Sequence, residues 1–228
     1  MEPELGTNDS RTFDTIVTSY KDLTVTALFT IHLECRYQIV RSLGLALSPE
    51  SSAPYLLDRP VSAPDPQILA LNADLVAHDE AASRILPPTE LAFVRTGLGR
   101  LVDVFVVRNA ARASPMNVCG CKRMRLNVYV MQQNLRNIEP GVSLTRADEY
   151  FALFERGPDA ILEKAREGAA AGHGDDGDAR KYSYDELKAL LDLYYSEQLA
   201  NPERGIASAA RRLLDDKALS LNEAMWSG

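Results

Sequence analysis

The sequence predicts an all-α fold, an elongated arrangement of antiparallel helical bundles with about seven helices. Two observations carry this expectation. Apolar residues recur at alternating spacings of three and four through long proline-free stretches, the period of helices with one face turned inward. These stretches are bounded by helix punctuation: Asp65-Pro66, Ser114-Pro115 and Asn201-Pro202 in front, and Pro87-Pro88, Pro140-Gly141 and Gly157-Pro158 behind. A chain of 228 residues, 46% apolar and 25% charged, is long enough for one large helical core or two small ones. Residues 1–10 read as a disordered leader, 11–140 as a first bundle and 141–228 as a second packed end to end, with the boundary near Pro140.

The first helix is expected from Arg11 to about Leu47, roughly 55 Å at 1.5 Å per residue. Phe13, Ile16, Tyr20, Leu23, Ala27, Ile31 and Cys35 form one stripe, and Val25, Phe29, Leu33, Tyr37 and Val40 a second. Apolar residues on two faces predict that its later part is surrounded by other helices. Ser48 to Pro66 holds five prolines and reads as a loop. Asp65 and Pro66 then supply an N-cap and a first-turn proline for a second helix to about Leu86, with Ile68, Leu71, Leu75, Val76 and Ile85 inward.

A third helix is expected from Thr89, carrying Leu91, Val94, Leu98, Leu101 and Phe105. Val102, Val104, Val106 and Val107 favour a strand, but the helical spacing holds over a longer window. Ser114 and Pro115 open a fourth helix, whose seam is Cys121, Met124, Val128, Met131, Leu135 and Ile138. The third and fourth helices are expected to be antiparallel neighbours. A fifth runs from Ser143 with Leu144, Ala147, Phe151 and Phe154 inward and breaks at Gly157-Pro158 before Ile161 and Leu162. Gly168 to Asp178, with four glycines and three aspartates, reads as a mobile loop. Ser183 with Glu186 is a capping box for a sixth helix bearing Leu187, Leu190, Leu191 and Tyr194. Asn201-Pro202 caps a seventh with Ile206, Ala210, Leu213 and Leu214, and the pattern fades beyond Lys217.

A formal net charge of −7 argues against a nucleic-acid partner, because duplex affinity rests on cations that displace phosphate counterions. A ligand-responsive repressor would need a basic helix-turn-helix unit, whereas the first 30 residues hold only Arg11 and Lys21 as cations. No apolar run reaches the roughly 20 residues of a transmembrane helix. The polar start is not a signal peptide, and an odd number of cysteines is not a disulfide framework, so a reducing cytoplasm is expected.

No catalytic, cofactor or metal site is expected. Cys119-Gly-Cys121 is a single pair, and His32, His78 and His173 do not complete a zinc set. No serine sits in a nucleophile elbow with a base in reach. Gly97-Leu98-Gly99 lacks the third glycine and the strand of a phosphate loop, and close helix packing accounts for it better. Asp175-Asp176 and Asp215-Asp216 read as solvated pairs. One basic group stands out. Arg100, Arg108, Arg112, Lys122, Arg123 and Arg125 form a candidate docking or anionic-lipid patch if the third and fourth helices pair.

The string KRMRLNVYVMQQNLRNI, from Lys122 to Ile138, closely resembles a segment of the exocyst complex component 4 family. Similar stretches follow the same order: TIHLECRY within Phe13 to Tyr37, LALNADL within Asp65 to Glu80, and GLGRL within Phe93 to Ala110. Tyr150-Phe151 with DAIL, and KYSYDELKALLDLYYSEQ from Lys181 to Gln198, complete the likeness over residues 11–200. It would make this chain the C-terminal region of a longer subunit. The loops at Ser48 to Pro64 and Gly168 to Asp178 are longer than in animal relatives. The tail Met225-Trp226-Ser227-Gly228 lacks the motif that PDZ domains read in some of them.

The resemblance implies a non-catalytic scaffold of tandem helical bundles that tethers secretory vesicles to the plasma membrane before fusion. It also implies a cytoplasmic protein recruited to sites of secretion, with other exocyst subunits as partners of the full-length protein. The alternative expectation is an anionic-lipid-binding helical module making peripheral membrane contact. The chain by itself is expected to be a monomer, because its helices supply mutually compatible apolar faces.

Overall fold

A computed structural model describes residues 7–48, 55–171 and 182–226. It is all-α among those residues, as expected. Helix α1 spans Thr7–Ala46, 40 residues and so about 60 Å. It takes in residues 7–10, which the leader expectation had left outside a helix. Cys35, Ile39, Leu43 and Ala46, spaced by three and four, bury the C-terminal half of α1 against α2 (Pro66–Ile85), α3 (Pro88–Arg95) and α4 (Leu98–Arg108).

Asp65 caps α2 as expected: its carboxylate accepts the Gln67 N–H at 2.8 Å. Ile68, Leu71 and Leu75 are buried, whereas Val76 and Ile85, also expected inward, are exposed. The third expected helix is two. The chain breaks at Thr96-Gly97, where Gly97 takes φ +83°, a left-handed conformation that glycine adopts without a Cβ penalty. The break is held from outside, since both oxygens of Glu139 accept backbone N–H groups at the new N-terminus, from Gly97 (2.6 Å) and Gly99 (2.9 Å). Arg36 also reaches the Thr96 carbonyl. Gly99 bears out the close-packing reading, because a Cβ there would lie 2.6 Å from Val142.

After a 3-10 turn at Ala110–Ala113 comes α5, Val118–Ile138, and its N-cap is Asn117 rather than Ser114. The reason lies in a later helix, 184–199: the Met116 N–H donates to Ser196 Oγ (2.9 Å) and Met116 is fully buried, so the chain reaches its tertiary anchor before turning helical. The expected seam from Cys121 to Ile138 is buried throughout. It packs mainly on α6 (Thr145–Arg156) and α2. Contact between α4 and α5 is slight, and the expected antiparallel pairing of those two gives way to α4 on α6 and α1.

Leu144, Ala147, Phe151 and Phe154 are inward as expected, joined by Tyr150 and Leu153. Gly157 at φ +91° turns the chain into α7, Pro158–Ala171, so Gly168 to Ala171 are helical rather than loop. The rest of the expected loop, with His173, lies outside the described residues. Ser183 and Glu186 form the capping box of α8, Tyr184–Leu199. Helix α9 runs from Arg204 to Trp226, well past Lys217, because Leu221 and Met225 extend the buried line of Ala210 and Leu214. Ile206 and Leu213, expected inward, are exposed. Buried apolar residues from Cys35 to Met225 form one continuous cluster.

Candidate docking surfaces

Against that core, the stretch of α1 from Phe13 to Tyr37 is the anomaly. Phe13, Ile16, Tyr20, Leu23, Val25, Phe29, Leu33 and Tyr37 are each at least half exposed. The two stripes were legible in the sequence, but the neighbours expected to cover them are absent from the described residues. Five hydroxyls on this segment, from Thr18, Ser19, Thr24, Thr26 and Thr30, donate to carbonyls four residues back at 2.8 to 2.9 Å. Their polar atoms are satisfied within the helix and their methyl or methylene groups are left outward. At the base of the segment Phe93 stacks on His32 (4.6 Å between centroids) and meets Phe29 edge-on at 5.4 Å. His32 Nδ1 lies 3.1 Å from the Phe93 carbonyl. That aromatic cluster is where α1 leaves the body.

The six basic residues of the candidate patch meet different neighbours. Arg125 is held by α6, donating to Asp148 at 3.0 Å and to Glu155 at 2.7 Å, which neutralise its charge locally. Arg123, two residues away and therefore on another side of α5, is near enough to Tyr55 and Asp65 for its charge to oppose the rise that burial causes in both. Arg100, Arg108, Arg112 and Lys122 are exposed. Arg108 lies beside the Arg146–Glu186 ion pair (2.6 Å), and Arg112 lies near Gly44 of α1.

A second feature escaped sequence reading, the docking of the strap 55–65 on α5. Asn117 ties it three times: its N–H donates to the Tyr55 carbonyl (3.1 Å), its Nδ2 to the Leu57 carbonyl (2.9 Å), and its Oδ1 accepts the Leu57 N–H (3.3 Å). Asn127 Oδ1 accepts the Asp65 N–H (2.8 Å), while its Nδ2 donates to the Tyr55 hydroxyl (3.2 Å). Burial pushes the Tyr55 hydroxyl and the Asp65 carboxyl up from their ordinary values. Asn127 was the available signal, since an asparagine inside a helix needs a partner when buried.

Cys121 is buried and its Sγ donates to the Phe151 carbonyl (3.3 Å), and burial raises its thiol pKa. Among the described residues no three His, Cys, Asp or Glu side chains gather to hold a metal ion. Among them, too, no helix is long and apolar enough to cross a membrane.

No protein-family model matches the chain. It is 51% identical to the probable exocyst complex component sec8 of Neurospora crassa over 243 aligned residues, covering 94% of this chain and 22% of that protein. It is 26% identical to human exocyst complex component 4, over 70% of this chain and 16% of the relative. The Schizosaccharomyces pombe exocyst complex component sec8 is 25% identical over 82% of this chain and 16% of its own length. The chain thus spans less than a quarter of the length of these relatives.

Proposed function

From a chain that belongs to the exocyst complex component 4 family, we propose a piece of a tethering subunit. Its part is a stiff, non-catalytic helical scaffold in the attachment of secretory vesicles to the plasma membrane before fusion. The observation that carries this reading is the 51% identity to the Neurospora relative over 94% of this chain. The structure is of a kind with such a role: capped helices around one continuous core make a rigid spacer, which suits a body that holds surfaces apart. The partners are other exocyst subunits, engaged by the full-length protein in the cytoplasm and at sites of secretion. The lipid-binding alternative gains no support, because Arg125 is neutralised by two carboxylates.

A segment exchange tests the reading. The aligned region of the Neurospora relative is replaced by this chain in the living fungus, and secretion and co-purification of the other subunits are measured. Normal secretion with an intact complex is expected. A folded chimera that assembles but fails to restore secretion would overturn the tethering role.

A further inference from the structure

The strap from Tyr55 to Asp65 is fastened at its two ends. Tyr55 is buried and Leu57 is tied to Asn117, while Asp65 is buried and its N–H donates to Asn127. Between these anchors residues 58–63 are all exposed and belong to no helix. No hydrogen bond or ion pair joins residues 58–64 to another described residue. Pro60 and Pro64 keep this arch from turning helical, because proline offers no N–H and pushes the residue before it towards an extended conformation.

Arg59 stands three residues before Ser62, and Pro64 two after it. In the whole sequence two hydroxyl residues have an arginine at that distance ahead of them, Ser62 and Ser183. A protein kinase takes its substrate as a non-helical segment, since the hydroxyl has to reach the catalytic aspartate in line with the γ-phosphoryl group. Ser183 fails this requirement: its Oγ accepts the Glu186 N–H (3.2 Å) as the N-cap of α8, and the residues after it are helical. Ser62 meets it, because its hydroxyl and the backbone on either side hold no bond to a described residue that a kinase would have to break. Arg59 is exposed beside it and forms no ion pair among the described residues, so its guanidinium is open to paired N–H···O bonds from carboxylates of an approaching enzyme.

We propose that Ser62 is a phosphorylation site for a serine kinase that reads an arginine three residues upstream. Ser62 Oγ attacks the γ-phosphorus of ATP, the bond from that phosphorus to the β,γ-bridging oxygen breaks, ADP leaves, and the hydroxyl proton passes to the aspartate of the kinase. The product carries a charge of about −2 on an arch whose one cation is Arg59. The strap's anchors, Asn117 and Asn127, are neutral amides, so the phosphate stays outward, where a protein with clustered arginines can read it. The inference rests on the arch itself and not on the tethering role.

The folded chain is treated with magnesium ATP and a purified calmodulin-activated serine kinase of this specificity, and the phosphate is located by mass spectrometry. One phosphate on Ser62 is expected. Ser62→Ala should abolish incorporation, and Arg59→Ala should slow it about 10-fold or more, because a charge-assisted contact with the kinase is lost. Neither substitution, nor phosphorylation itself, should move the melting temperature by more than about 2 °C, since exposed positions without partners contribute little to stability. No incorporation, phosphate on Ser183 in place of Ser62, or a rate that Arg59→Ala leaves unchanged would overturn the proposal. A larger melting shift on phosphorylation would set the phosphate against the body and overturn it equally. The full-length protein isolated from growing cells under phosphatase inhibition should carry the same mark, and its absence there would overturn the proposal even where the purified chain is a substrate.

Discussion

Asp65 performs two tasks whose costs differ in sign. Its carboxylate caps α2, yet it is fully buried, and burial raises its pKa. A carboxyl whose pKa is higher folded than unfolded stabilises most below the unfolded value, near 4, and that contribution is lost as pH rises through the folded value. Asp65→Asn keeps a capping oxygen and carries no charge. Wild type should therefore gain stability relative to Asp65→Asn as pH falls from 7 towards about 4, read from urea midpoints. A difference that stays flat or runs the other way would show that the carboxylate is not strained by burial. At Gly120 the fit is tighter, because a Cβ would lie 1.7 Å from the Tyr55 carbonyl oxygen. Gly120→Ala is expected to cost about 3 kcal/mol and to loosen the strap, seen as faster exchange at Leu57. Met131 and Leu135, each at most 2% exposed, should each cost about 2 to 5 kcal/mol on truncation to alanine. Melting like the parent protein in both variants would remove α5 from the core.

At the scale of elements, two kinds of cap operate. The Ser183–Glu186 box is local, with both bonds closed within three residues, and it was readable directly. Its Glu186 also holds Arg146. The N-terminus of α4 is capped instead by Glu139, about 40 residues downstream. Glu139→Ala should cost about 1 to 2 kcal/mol, since it strips a charge-assisted acceptor from two orphan N–H groups. Circular dichroism and thermal melts measure it, and a neutral result would mean that Gly97 alone sets the break. The unbroken helix expected from Thr89 to Phe105 failed for this reason. Periodicity registers a 3-4 stripe on both sides of Gly97, while the acceptor that stabilises the break is remote in sequence.

Across the whole molecule, the exposed half of α1 adds almost no buried surface to the body. Deleting the first 23 residues should shift the melting temperature by less than about 2 °C, because regions with few buried contacts open independently of the core. A large drop would show that the segment folds back on the body. The same exposure removes the premise from which a monomer was expected, that every apolar face finds a partner within the chain.

What the sequence determined by itself was everything that depends on neighbours within a turn or two: the all-α class, the Asp65 and Ser183 caps, the α5 seam and the inward face of α6. These follow from side-chain spacing and from hydrogen bonds closed over three or four residues. It also carried both stripes of α1. Only the tertiary structure decided that the body covers the line of Cys35, Ile39 and Leu43 and leaves most of both stripes exposed, that Met116 is tied to Ser196 before α5 begins, that Glu139 breaks the third helix, and that Arg125 is paired with Asp148 and Glu155. Each of these is a contact between residues far apart in sequence, where the energy lies in burial and in pairing one remote group with another. A period of three and four tells which side of a helix seeks cover, but not which surface arrives to provide it.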